Sequence, residues 1–132
     1  MGLFTGSTKS TTGTAGSSES KKLHTEYGLL LVDGEIIEVG FAVFRDTFIF
    51  TNKRLILVSV QGISGKQIDY LSIPYRNITK FSIETGDKFD LDAELKIWIG
   101  SDAIPLERKF NKDVNIYELH KVMALHVLNI AP

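Results

Sequence analysis

The chain has 132 residues, 43% of them apolar in type, and a formal net charge of −1. That length suits one domain, which can bury roughly two thirds of its unfolded surface without a metal or a disulfide. The near-neutral balance gives no overall field toward nucleic acid or an anionic membrane, and the absence of cysteine excludes disulfides, thiolate metal sites, iron–sulfur clusters and cysteine nucleophiles.

Residues 1–20 differ in kind from the rest. "TGSTKSTTGTAGSSES" is almost entirely Gly, Ser and Thr, a composition that cannot bury enough surface to offset its ordering entropy. It reads as a flexible tail carrying two apolar residues, Leu3 and Phe4, ahead of a single domain over 21–132. No basic segment followed by an apolar core opens the chain, so no secretory signal is expected. Gly6 stands where a myristoylation motif requires Ser or Thr. The apolar runs fall short of the ~18 residues of a membrane span, and a cytoplasmic location is expected.

Leu23, Tyr27, Leu30 and Leu31 recur at helical spacing and predict a short N-terminal helix, ended by the turn signal "VDGE". The period then changes to two. "EIIEVGFAVF" sets Ile37, Val39, Phe41 and Val43 on one face, "TFIFT" and "RLILVSV" follow across short turns, and "QIDYLSI" ends at Pro74. "PYRNI" reads as one helical turn or an open loop. "ITKFSIET", "AELKIWIG" and "IPLERKF" complete seven strands, the last placed at an edge by Pro105. Asn115 and Glu118 have the spacing of a capping box, and Ile116, Leu119, Met123, Val127 and Ile130 form an apolar stripe on the closing helix. Connections of hairpin length imply antiparallel pairing. The expected fold is mainly β: a seven-stranded antiparallel barrel or orthogonal sandwich, capped by a C-terminal helix.

Several stretches hint at chemistry. Gly62, Gly65 and Lys66 in "QGISGKQ" look like a phosphate loop. Their spacing is too short, Gln67 replaces the required hydroxyl, and a strand follows in place of a helix. The stretch reads as a hairpin turn whose glycines take positive φ. Asp87, Asp90, Asp92 and Glu94 are an acidic cluster without EF-hand spacing. His120 and His126 are six apart, about 240° around a helix, so they cannot share a metal. No serine sits in a nucleophile elbow. No cofactor, metal site or catalytic residue is expected. Lys53, Arg54, Lys66, Arg76, Lys80 and Lys88 fall at or near strand ends, where convergence on one rim would make an anion or lipid head-group site.

"RDTFIFTNKRLILV", "QGISGK", "SIPYRNITKFSIET", "FDLDAELKIWI" and "FNKDVNIYELHKV" closely resemble the bacterial pleckstrin-homology-like family, over about Leu29 to Val127. The resemblance implies the pleckstrin-homology fold, ring-like homo-oligomers and no enzymatic activity. The chain departs from the eukaryotic phosphoinositide signature. Its first hairpin, "VFRDTF", offers only Arg45 beside Asp46, and its one Trp, Trp98, lies on a strand. The reading is a non-catalytic module that assembles with itself, through strand edges left free by an incompletely closed barrel, and presents a surface to an unidentified protein partner. Phe81, Ile83, Thr85, Leu95, Ile97 and Ile99 are the candidate interface residues. The alternative is a peripheral membrane module using the cationic rim; nucleic acid is not an expected partner.

Overall fold

A computed structural model describes residues 17–43, 45–86, 93–111 and 114–129. Helix α1 spans Ser17–Tyr27 and passes into a 3-10 turn, Gly28–Leu30. Seven strands follow: β1 (Ile37–Val43), β2 (Asp46–Thr51), β3 (Arg54–Gln61), β4 (Gln67–Pro74), β5 (Ile78–Thr85), β6 (Ala93–Ile99) and β7 (Leu106–Phe110). A 3-10 turn, Tyr75–Asn77, joins β4 to β5, and helix α2, Ile116–Val127, closes the fold. The strands form two antiparallel sheets, β1-β2-β3-β4 and β5-β6-β7. The expected mainly β fold is found in its sandwich form, since the two sheets share no ladder among the described residues.

Two apolar clusters hold these layers together. The larger lies between the sheets and under α2, and contains Phe41, Phe48, Phe50, Leu55, Leu57, Leu95, Ile97, Phe110, Leu119 and Met123. Phe41 and Phe50 meet edge to face with ring centroids 5.9 Å apart, a geometry that suits the ring quadrupoles. The smaller cluster lies on the other face of the first sheet, where Leu23 and Tyr27 of α1 cover Ala42, Ile49, Ile56 and Val58. Phe48, Ile49 and Phe50 are therefore all fully buried, although alternate residues of a strand point in opposite directions.

Two details differ from the sequence reading. The N-terminal helix starts at Ser17, inside the Gly/Ser/Thr stretch, and its α-helical part ends before Gly28, whose conformational freedom weakens a helix. The pairing of β1 with β2 shifts register between Ile37 and Val39. The extra residue, Glu38, moves Ile37 off the face of Val39 and Phe41 and into the α1 cluster. β4 ends at Pro74, opposite Arg54, as read. The "QGISGKQ" turn is a hairpin loop as read: Gly62 and Gly65 have φ of 82° and 71°, and the Gly65 N–H donates to the Gly62 carbonyl.

Asn115 caps α2, its side chain accepting from the Glu118 N–H at 3.1 Å. One orphan donor of the first turn is thereby satisfied. The stripe below it packs as read, with Leu119 and Met123 buried and Ile116 and Val127 partly so; Ile130 lies outside the described residues. Asn115→Ala should lower stability by about 1 kcal/mol, read as a lower urea midpoint at unchanged m value.

Candidate interaction surface

The predicted rim cations do not converge. Lys53 and Arg54 lie at the β2–β3 turn and Lys66 at the β3–β4 turn. These turns sit at opposite ends of β3, roughly 23 Å apart at the rise of an extended strand. Lys80 belongs to the other sheet, with its ammonium 4.7 Å from the centroid of the Trp98 ring, a cation–π contact. Arg76 is exposed in the turn before β5. Lys88 lies outside the described residues, as do Asp87, Asp90 and Asp92 of the acidic cluster. Glu94 sits on β6, opposite Glu84. At the first hairpin, Arg45 turns back to donate to the Gly62 carbonyl at 2.9 Å, and Asp46 is paired with Arg108 of β7 at 2.6 Å. This tip fastens β7 to the hairpins, and both of its arginines, Arg45 and Arg108, are held by partners within the fold.

Arg54 is a structural residue. Its Nε and Nη2 donate to both oxygens of Glu35, at 2.8 and 3.0 Å, and its Nη1 donates to Ser72 Oγ at 2.8 Å. Nη2 also reaches the Leu30 carbonyl. The Glu35 side chain is fully buried and further accepts from the Thr51 hydroxyl and the Val32 N–H. Burial pushes its carboxyl upward. The bonds from Arg54, Thr51 and Val32, with the Arg54 charge, outweigh that and bring it down from 4.5 to about 2. A fork-to-fork pair of this kind satisfies a buried carboxylate well. It ties the α1–β1 connector to the β2–β3 turn.

A second aromatic and ionic group fixes the end of α2. The His126 ring stacks on Tyr75 with centroids 4.3 Å apart and planes 5° from parallel. Its Nε2 lies 2.8 Å from Glu38 Oε1. The Tyr75 hydroxyl donates to the Thr51 carbonyl at 2.6 Å, and burial, then the Glu38 charge, raises its pKa. Beside it lies a depression of about 500 Å3 lined by Asn52, Tyr75, Arg76, Ile78, His126, Val127 and Asn129. Its size would admit a small ligand, but three of its polar groups serve the fold. Asn52 accepts from the Ile36 N–H and donates to the Gly34 carbonyl, while Tyr75 and His126 are engaged as above. Among the described residues, no three His, Cys, Asp or Glu side chains are grouped to hold a metal ion.

Of the six candidate interface residues, Phe81, Ile83, Leu95, Ile97 and Ile99 pack into the larger core cluster, and Thr85 is exposed at the end of β5. β6 is paired on both sides, so its backbone is not open to another copy; Leu95 and Ile97 are buried, while Phe81, Ile83 and Ile99 are partly exposed. The outer face of that sheet alternates charge: Lys96 lies opposite Ser82 and Glu107, and Glu94 opposite Glu84 and Lys109. Such a face suits solvent.

The exposed surface of another kind is β4, an edge of the first sheet. All its residues but Ile73 are exposed. Ile68, Tyr70 and Leu71 are 46%, 47% and 37% exposed, next to a fully exposed Ile63 in the turn. The other edges carry the usual protections. β1 and β5 each have a register irregularity, β5 carries Lys80, and β7 is short and bears Glu107, Arg108 and Lys109 behind Pro105. β4 has unbroken register over its eight residues, one charge, Asp69, and a proline only at its end. A signal for this surface was present in the sequence. "QIDYLSI" is apolar on both faces of a strand, through Ile68 and Tyr70 on one and Leu71 and Ile73 on the other.

Comparison with known proteins matches this architecture to one family. The family model described as Bacterial PH domain matches residues 6–127. The chain is 45% identical over 113 residues to the uncharacterized protein YjqA of Bacillus subtilis (strain 168), covering 85% of this chain and 90% of the relative. It is similar to the crystal structure of a pleckstrin homology domain from Shewanella amazonensis SB2B, with a TM-score of 0.77, 39% identity, and 83% and 99% of the two chains covered. It is also similar to a DUF1696 family protein with a pleckstrin-homology domain from Shewanella loihica PV-4, with a TM-score of 0.74, 41% identity, and 82% and 92% covered.

The Glu35–Arg54 pair yields a test of what holds this frame. The folded carboxyl lies near 2 against an ordinary 4.5, so its stabilisation is complete above about pH 4.5 and is lost as pH falls toward 2. Glu35→Gln should cost about 3–5 kcal/mol at neutral pH, as expected for a broken buried pair. It should also flatten the loss of stability between those pH values, both read by urea unfolding across a pH series.

Proposed function

The chain belongs to the bacterial PH domain family, and we propose that it acts in that fold as a non-catalytic module. It joins copies of itself, in a ring of identical subunits, and offers the assembled surface to another protein. The observation that carries this reading is the unprotected β4 edge. Eight residues of continuous strand, apolar on both faces and free of Lys and Arg, would invite uncontrolled pairing in a monomer. Coverage by a neighbouring subunit removes that hazard. Two different patches used head to tail generate a ring when the rotation between subunits closes.

A non-catalytic role is supported by the engagement of Asn52, Tyr75 and His126 at the α2 depression in the fold. A cytoplasmic protein scaffold is favoured over a lipid-binding module by the dispersal of the cations. Arg54 is occupied by Glu35, Arg45 turns onto Gly62, and Lys66 lies at the far end of the sheet from Lys53. Among the described residues, no helix is long and apolar enough to cross a membrane.

Light scattering behind a sizing column should give a mass several times 14.7 kDa, stable on dilution. Tyr70→Lys, in the middle of the edge, should reduce it, while Lys80→Glu on the charged face of β5 should not. A wild-type mass near 14.7 kDa, with sedimentation on anionic vesicles at low salt, would replace this reading by the membrane one.

A further inference from the structure

Helix α2 has two apolar faces. Leu119 and Met123 point into the core. On the opposite side Tyr117, Leu125 and Leu128 are 71%, 65% and 66% exposed. With Lys121 they follow spacings of 4, 4 and 3, which places all four within about 80° of the helix circumference. A soluble helix ordinarily carries polar residues there. Three large apolar side chains in line on the outer face form an unpartnered stripe, with Lys121 as the one cation within it.

The β4 edge has matching features. Ile68, Tyr70 and Leu71 flank Asp69, the only charged residue of that strand. The stripe extends about 16 Å from Tyr117 to Leu128 at the rise of a helix. The exposed apolar residues of β4, Ile68 to Leu71, extend about 10 Å at the rise of a strand and so lie under part of the stripe. Each surface therefore presents apolar side chains around one charge, and the charges are opposite. Both remain exposed within a single subunit, so neither covers the other in the same molecule.

We propose that the α2 stripe of one subunit docks along the β4 edge of the next, where Tyr117, Leu125 and Leu128 meet Ile68 and Tyr70 from one side of the strand and Leu71 from the other, and Lys121 pairs with Asp69 on the Leu71 side. Covering an open strand edge with a helix is one of the established ways proteins protect it. The proposal rests on the self-assembly reading and names the second of the two patches a head-to-tail assembly requires. Opposed charges within an apolar contact fix register and exclude wrong pairings more than they add affinity.

The test is a charge exchange followed by light scattering, with far-UV circular dichroism and urea unfolding to show that each variant remains folded. Lys121→Asp alone and Asp69→Lys alone should each lower the mass toward one chain, 14.7 kDa. The double variant, with the charges exchanged, should restore the wild-type mass. Leu125→Glu should lower the mass without rescue by either charge change. If the wild type is oligomeric and neither Lys121→Asp nor Leu125→Glu changes its mass, the stripe is not the contact; the docking proposal falls while self-assembly stands. If the single reversals dissociate the assembly and the double variant does not restore it, Lys121 and Asp69 do not meet, and the proposed register falls. A monomeric wild type overturns the self-assembly reading and this proposal with it.

Discussion

The burial of β2 on both faces is the constraint from which the rest of the fold follows. Phe48 and Phe50 face the space between the sheets while Ile49 faces outward, and all three are fully buried. A strand that is apolar on both sides cannot lie at the surface of a simple two-layer sandwich. The outer face must be covered, and α1 covers it through Leu23 and Tyr27. The inner face must be covered more broadly, by the second sheet and α2 together. Cover is thickest over the middle of the first sheet. β4, at its border, is left with most of its side chains exposed.

Positioning α1 over that sheet requires a rigid connector, and the Glu35–Arg54 pair supplies it. The carboxylate is withdrawn from water, so an incomplete set of partners would cost more than the pair contributes. Here two guanidinium nitrogens, a hydroxyl and a backbone N–H all donate to it. The same guanidinium reaches Leu30 and Ser72, linking the connector, the β2–β3 turn and β4. A cation placed at a strand end by sequence is thus absorbed into the frame. The frame that orders the β4 edge also removes the central member of the expected anion-binding rim.

The order of elements was legible because strands announce themselves by period two or by short runs of β-favouring residues, and the breaks by Gly, Pro, Asn or Asp. The capping residue of α2 and the hairpin glycines were legible for the same local reason. What was not legible depends on contacts distant along the chain. Arg54 and Glu35 are nineteen residues apart, and nothing in the neighbourhood of either marks the other as its partner. The bulge at Glu38 moves Ile37 to the other face, and a single inserted residue leaves no trace in an otherwise regular alternation. The apolar residues of β5 and β6 were read as candidate interface residues, and they line or pack against the core. Alternation cannot say whether the cover comes from the same subunit or from another, and here the subunit's own core provides it.

Edge protection distinguishes the remaining surfaces by physical rather than compositional criteria. A bulge, a lysine, a short length or a run of charges each makes an edge a poor template, and β1, β5 and β7 show one or more of these. β4 shows none along its length, while α2 exposes apolar residues where a helix of a monomer would carry charge. These are two departures from the pattern of an isolated soluble domain. One concerns an edge and the other a helix face, and each is costly to leave in water. A single association between unlike patches would relieve both, whereas a two-fold pairing of like patches through β4 would leave the α2 stripe uncovered. The economy of that arrangement favours the proposed head-to-tail assembly, in which the outer face of α2 would share the contact with β4.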